Sequence, residues 1–242
     1  MSEYFYGRLA EQGLPVPHGL LYDDTTTLIP YEAQVLTWLD GVDLRGIPPA
    51  LRRQAGTVVG RALRTVHEIP TAGFGTPHPD GAWSVPSWLA ALRQDYRYDR
   101  AVAHAVFTRA QVDAIEAATF DNARLAVAHP RLIHADVNPA NALFRVEGDA
   151  VHLVALIDPG HIAGGDPLFD LAGGTNHRDA FGAGVWAGYT EGHPLAPEEG
   201  YRYRQLLLLS YYWTACWQYG TGRDYRERKE WALQLLEATA LD

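Results

Sequence analysis

Two short segments carry residues able to do chemistry. LIHADVNPANALF (132–144) holds His134, Asp136 and Asn141, and DPGHIAGGDPLFDLA (158–172) holds Asp158, Asp166 and Asp170. Asp136 and Asn141 are spaced D-x-x-x-x-N, and Asp158 follows Asp136 by 22 residues. Transfer of a phosphoryl group needs a carboxylate beside the attacking hydroxyl and hard oxygen ligands for Mg. One carboxylate, one amide and a second carboxylate meet that need if a hairpin brings them together.

The intervening residues predict such a hairpin. Arg131–His134 reads as a short strand running into a loop, and Ala142–Val146 is extended and apolar. Glu147-Gly148-Asp149 has a turn's composition, with Gly where a positive φ is wanted. Val151–Ile157 is β-branched and apolar, as a buried strand is. Pro159-Gly160 ends that strand just after Asp158 and turns its carboxylate toward the loop.

These motifs resemble those of the aminoglycoside phosphotransferase and choline-kinase-like group, which shares the protein-kinase fold. His134-Ala135-Asp136 stands where that family has H-G-D, and Asn138-Pro139-Ala140-Asn141 where it has H-P-G-N. Ile157–Gly160 and Gly165–Ala172 are similar to its I-D-[FWP]-[EG] and G-D-P-x-x-D-L-A. The resemblance implies Asp136 as catalytic base, Asn141 and Asp158 as Mg ligands, and ATP or GTP as donor. It further implies His134 as a loop-orienting residue, and Asp166 and Asp170 as scaffold carboxylates. Weaker matches are Gly13–Pro17, Val35–Gly41 and Gly60–His67. Of these, Val35–Gly41 resembles the family's hinge strand, which implies adenine contacts near Thr37, Trp38 and Leu39.

The implied fold is α+β and protein-kinase-like. Residues 1–40 are expected to be a remnant of the small lobe with its hinge, and 41–242 the mostly helical large lobe. A kinase of this type needs a Gly-rich hairpin over the phosphates and a Lys paired to a helix acid. The chain's single Lys is Lys229, and Glu3 already falls where the helix acid belongs. The first three strands of the small lobe and the phosphate clamp are therefore expected to be missing from this sequence, by true truncation or because the chain is a fragment. A poor enzyme is expected, and a catalytically dead kinase-like binding module is the alternative. An uncovered strand edge near 19–24 and 33–38 is expected to self-associate or to be covered by the helix that starts at Glu3.

Composition bounds the rest. The chain has 242 residues, 47% hydrophobic and 20% charged, which is ample for a core and unlike disorder. A net charge of −9 argues against nucleic-acid or anionic-membrane partners and favours a cationic small-molecule acceptor. Cys216 is the one cysteine, so an internal disulfide and a Cys-based metal site are excluded. No apolar run is long enough to span a bilayer, and the cytoplasm is the expected location.

Helices are expected over 3–12, from 48–49 toward Val66, from Trp88, from a Thr108/Gln111 capping box through Ala126, and as three segments after Arg178. Gly173-Gly174 and Gly182-x-Gly184 lack the context of a nucleotide fingerprint. His67 is read as a satisfied helix-end histidine. The stripe Tyr211, Tyr212, Trp213, Trp217 and Tyr219 is read as core before pocket wall. Glu191, Glu198 and Glu199 are candidates to meet an amine on the acceptor.

Overall fold

The computed structural model describes residues 2–239 apart from 24, 28, 32, 79–80 and 161–162; the side chains of residues 2 and 3, and with them the expected role of Glu3, lie outside the description. The chain opens with helix α1 (Ser2–Glu11), which ends at Gly13 with φ of 72°. Strands β1 (Gly19–Asp23) and β2 (Ala33–Leu36) then pair antiparallel as a two-stranded ribbon. Helix α1 buries Phe5, Tyr6 and Leu9. It does not cover the ribbon, as one expectation had it: Leu20, Leu21, Tyr22 and Val35 stay exposed.

Helix α2 (Arg52–Val66) buries Ala55, Val59, Ala62, Leu63 and Val66, the apolar stripe legible in its sequence. It crosses α7 (Ala180–Thr190) at very short range. Glycines set that distance. A Cβ on Gly56 would lie 2.0 Å from the Phe181 carbonyl oxygen, and one on Gly188 2.1 Å from the Thr57 carbonyl oxygen. The Gly182–Gly188 run is thus a helix–helix contact surface, which agrees with its lack of a nucleotide-fingerprint context.

Helix α3 (Trp88–Tyr96) starts on the Ser87 cap, and α4 (Arg100–Val106), not anticipated from the sequence, starts on Asp99, whose side chain accepts from two backbone N–H groups. Helix α5 (Arg109–Thr119) has the expected Thr108/Gln111 capping box. It stops short of Ala126, because Asn122 accepts from the Arg124 N–H and tightens 123–125 into a separate 3₁₀ turn. Glu116 on α5 is buried and bound by Arg97 and Arg100.

Strand β3 (Arg131–Leu132) pairs with β6 (Gly164–Gly165), and β4 (Ala142–Glu147) with β5 (Ala150–Leu156). The β4–β5 hairpin turns at Gly148, whose φ is 62°. Helix α6 (Leu168–Thr175), α8 (Pro197–Gly220) and α9 (Arg226–Thr239) complete the body. Helix α8 runs through the core, with Leu206, Leu209, Tyr211, Tyr212, Ala215 and Cys216 buried. Among the described residues no helix is long and apolar enough to cross a membrane.

The α2–α7 contact leaves no room for one methyl group. Gly188→Ala should destabilise the fold by about 1–3 kcal/mol, the usual cost of overpacking, or more. The midpoint of urea unfolding reads this, and an unchanged midpoint would mean that the helices can part without loss.

Candidate active site

Antiparallel pairing of Ala142 with Leu156 places the residues just before β4 and just after β5 side by side. The Ile157 N–H donates to the Asn141 carbonyl at 3.0 Å, and Asp158 comes next. The hairpin therefore carries Asn141 and Asp158 to one end of the ladder, where the loop from β3 delivers Asp136. Asn141 Nδ2 donates to Asp136 Oδ2 at 2.8 Å and to the Asp158 carbonyl at 3.4 Å. Asn138 Nδ2 donates to Asp136 Oδ1 at 3.0 Å. Both oxygens of Asp136 are thus held by side-chain amides, which fixes the carboxylate without neutralising it.

The loop itself is pinned from below. Asp170, on the first turn of α6, is 1% exposed. It accepts from the His134 N–H at 2.7 Å, the Ala135 N–H at 2.8 Å and His67 Nε2 at 3.0 Å. His67 Nδ1 meets the Tyr189 hydroxyl at 2.9 Å, which fills its remaining polar site. His134 Nε2 lies 2.9 Å from the Ile157 carbonyl and its Nδ1 is 3.3 Å from the Asp136 N–H. These partners fix a neutral tautomer with the proton on Nε2. Burial pushes the His134 pKa below the usual histidine range, against the pull of Asp170. A neutral His134 ties the loop to the end of β5 and has no free nitrogen for proton transfer.

At the site two residues sit in the left-handed region without being glycine: Ala135 at φ 64° and Asp158 at φ 55°. Asp tolerates this conformation; Ala is strained by it. Ala135 occupies the position of the resembled motif's Gly. Its N–H is held by Asp170 and its carbonyl accepts from the Tyr96 hydroxyl at 3.2 Å. The Asp158 N–H donates to the Tyr6 hydroxyl of α1 at 3.1 Å. Asp166 is also buried; its Oδ1 accepts from the Leu168 N–H and its Oδ2 from Arg202 Nε at 2.9 Å. Burial pushes its carboxyl up, and Arg202 counters this.

A cavity of about 410 Å³ opens over the loop, lined by Asp136, Asn138 and Asp158 on one side and by Asn176, Ser210, Trp213 and Thr214 on the other. Tyr96, Phe169 and Leu209 supply apolar wall. Thr37, Trp38 and Leu39 do not line it. They follow β2, with the Thr37 N–H donating to the His18 carbonyl and Trp38 90% exposed. Of the aromatic stripe, Tyr211 and Tyr212 are core while Trp213 is wall. The glutamates expected to meet an acceptor amine are placed elsewhere, which corrects that expectation: Glu191 pairs with Arg61, Glu198 with Arg124, and Glu199 accepts from the Ala196 N–H. Exposed arginines near Glu191 and Glu198 decide this, and no sequence pattern announces such long-range pairs. Tyr6, Tyr96, Asn176, Ser210 and Thr214 were not singled out by sequence reasoning; they reach the site from three helices and from the residue that ends α6, with no local motif to mark them.

A family model described as "Phosphotransferase enzyme family" matches residues 4–207. The chain belongs to this family. Solved structures with the same fold include a thermostable mutant of aminoglycoside phosphotransferase APH(4)-Ia in ternary complex with AMP-PNP and hygromycin B. It is 19% identical, with TM-score 0.70, over 98% of this chain and 80% of that one. The putative fructosamine-3-kinase from Thermobifida fusca YX-ER1 is 20% identical, with TM-score 0.66, over 99% and 79%. Macrolide 2'-phosphotransferase MphH from Brachybacterium faecium is 20% identical, with TM-score 0.55, over 96% and 78%. No curated protein matches. The α+β, protein-kinase-like architecture of this phosphotransferase is therefore the expected one.

The loop geometry sets two measurable outcomes. Ala135→Gly removes about 1–2 kcal/mol of left-handed strain and returns about 0.4–1 kcal/mol of flexibility to the unfolded chain. A net gain of up to about 1.6 kcal/mol in urea unfolding is expected, and a loss would show that the methyl group's packing outweighs the strain. His134 should titrate in NMR below the free-histidine value of about 6.5. Because its folded pKa is lowered, the unfolded chain binds the extra proton, so stability is full above about pH 6.5 and falls as pH drops below it. A midpoint at or above 6.5 would contradict the neutral assignment.

Proposed function

We propose that this phosphotransferase moves the γ-phosphoryl group of ATP, or of GTP, to a hydroxyl of a small molecule. The observation that carries the reading is the Asp136 carboxylate, gripped by Asn138 and Asn141 and facing the cavity that Asp158 also lines. Asp136 orients the acceptor hydroxyl and takes its proton, while the two amides keep the carboxylate in place. Tyr96, neutral because burial and the charges of Asp170, Asp95 and Asp136 push its hydroxyl pKa up, holds the Ala135 carbonyl beneath.

The donor set suits Mg. Asn141 turns its Nδ2 to Asp136, which leaves Oδ1 as a ligand, and Asp158 adds a carboxylate. Two hard protein oxygens are what Mg takes when phosphates complete its shell. Among the described residues no cluster of three or more His, Cys, Asp or Glu offers a full protein cage. Held by Asn141 and Asp158, Mg would supply the charge that neutralises the phosphates, since no Lys or Arg is among the described residues lining the cavity. Lys229 is on α9, over the Phe107 ring, and takes no part. The adenine is assigned to the segment Thr37–Leu39, at the boundary between the small part (1–40) and the helical body (41–242). Use of a nucleotide donor favours the cytoplasm as the location. A catalytically dead binding module is the weaker alternative, because Asp136, Asn141 and Asp158 lie together at one end of the hairpin.

Asp136→Asn should cut phosphate transfer by roughly two to four powers of ten, as loss of a positioned base does, with little change in stability. Asp158→Ala should abolish Mg-dependent nucleotide binding in calorimetry. Full turnover in the first variant, or unchanged Mg-nucleotide affinity in the second, removes that residue from its role.

We also propose self-association through the exposed ribbon of β1 and β2, whose Leu20, Leu21, Tyr22 and Val35 form an unusual apolar surface. Sedimentation should show a dimer or larger species that Leu21→Lys with Val35→Lys dissociates. A monomer at every concentration tested would end the idea.

A further inference from the structure

The cavity's lining restricts what the acceptor can be. Its charge inventory is one-sided and already committed. Asp136 is bound by two amides and faces the reacting hydroxyl, and Asp158 belongs to the metal under the reading above. Asp170, at the cavity's edge, is closed off by two backbone N–H groups and His67. Asp95, which adds to the negative field at Tyr96, has a partner of its own and is not among the lining residues. Glu191, Glu198 and Glu199 are occupied elsewhere. The described carboxylates thus all have partners, and an ammonium on the acceptor would have to share one of them. A phosphate or carboxylate on it would find no counter-charge, since the described lining contains no Lys or Arg. An anion would lose hydration without replacement, and an ammonium would regain only a shared partner, a costly exchange in a partly enclosed site.

What remains is neutral. Asn176 Nδ2 donates to Ser210 Oγ at 2.9 Å, while Asn176 Oδ1 is buried beside the cavity with no hydrogen-bond partner among the described residues. Thr214 adds a hydroxyl one turn further along α8. Trp213, held edge-on by Tyr98 at 5.8 Å, contributes a large apolar wall. At about 410 Å³ the cavity is toward the small end of ligand pockets, which run from about 300 to 1,000 Å³, and it must also admit the phosphoryl group. An aromatic wall with neutral amide and hydroxyl groups opposite suits a ring with an apolar face and a hydroxylated rim.

We propose that the acceptor is a small, uncharged, polyhydroxylated molecule of one ring, such as a simple sugar or cyclitol, packed on Trp213 and read by Asn176, Ser210 and Thr214. The net charge of −9 pointed to a cationic acceptor; the cavity lining is the closer guide, because exposed charges beyond about 8–10 Å are screened. This proposal rests on the phosphotransfer reading. In the step itself the acceptor O–H breaks with its proton going to Asp136, a bond forms between that oxygen and the γ-phosphorus, and the nucleoside diphosphate leaves with the electrons of the broken P–O bond.

The test pairs each of a panel of single-ring sugars and cyclitols with its amino analogue, for example glucose with glucosamine, with hygromycin B as a multi-ring cation. Binding to the full chain is followed by saturation-transfer NMR with Mg and AMP-PNP, and product formation by phosphorus NMR with Mg and ATP. At least one uncharged member should bind at least tenfold tighter than its ammonium partner and than hygromycin B. Trp213→Ala should lose that binding at least tenfold, and Trp213→Phe should keep most of it, with Mg-nucleotide affinity unchanged in both. A preference for the amino analogues, no binding by any uncharged member, or indifference to Trp213→Ala in a folded protein overturns the proposal. Absence of Mg-nucleotide binding in the wild-type chain strikes instead at the phosphotransfer reading, and the sugar measurements are then read without nucleotide.

Discussion

The Asp170 carboxylate is the contact on which the site depends. It is buried on α6, and each of its oxygens accepts from a backbone N–H of the loop at His134 and Ala135. A carboxylate out of water must be hydrogen-bonded, and an unmet buried donor costs about 1–3 kcal/mol. The loop therefore has one place to go. Its demand for those bonds holds Ala135 at positive φ, and that twist turns the next residue, Asp136, toward the cavity. His67 and Tyr189 extend the same network to α2 and α7, so the glycine-mediated contact of those helices sets the depth at which Asp170 is anchored.

A second constraint acts from the sheet side. The β4–β5 hairpin fixes Asn141 against Ile157, and neutral His134 bonds the Ile157 carbonyl. Loop, strand end and helix are thereby tied at three points around Asp136. Positioning of this kind is how a phosphoryl-transfer site works, since little covalent chemistry falls to the protein. Strain at Ala135 is tolerated because the bonds around it over-determine the backbone.

Charge is distributed to match. The ion pairs of Arg61, Arg124 and Arg202 lie on the outside of the helical body or beneath the loop, and the described lining of the cavity holds carboxylates without Lys or Arg. Such a field attracts a metal and repels an anionic acceptor. Acidic side chains such as Glu191 and Glu198, by contrast, are answered locally by an arginine.

The sequence by itself determined the fold family, the hairpin and the grouping of Asp136, Asn141 and Asp158. These rest on short-range patterns: a strand–turn–strand with Gly148 at its tip, and motifs whose spacing is fixed by that hairpin. It also supplied the α2 stripe and the α5 capping box, both set within a few residues. Only the tertiary structure decided the rest. Helix α1 faces the loop through Phe5 and Tyr6 and leaves the ribbon open, and Glu191 and Glu198 turn to arginines far away in sequence. Trp213 becomes cavity wall while its neighbours Tyr211 and Tyr212 become core, because successive residues of α8 point to different faces and only the packing of its neighbours says which face meets the site. Contacts between residues distant in sequence leave no periodicity to read, and the cavity over the loop depends on them.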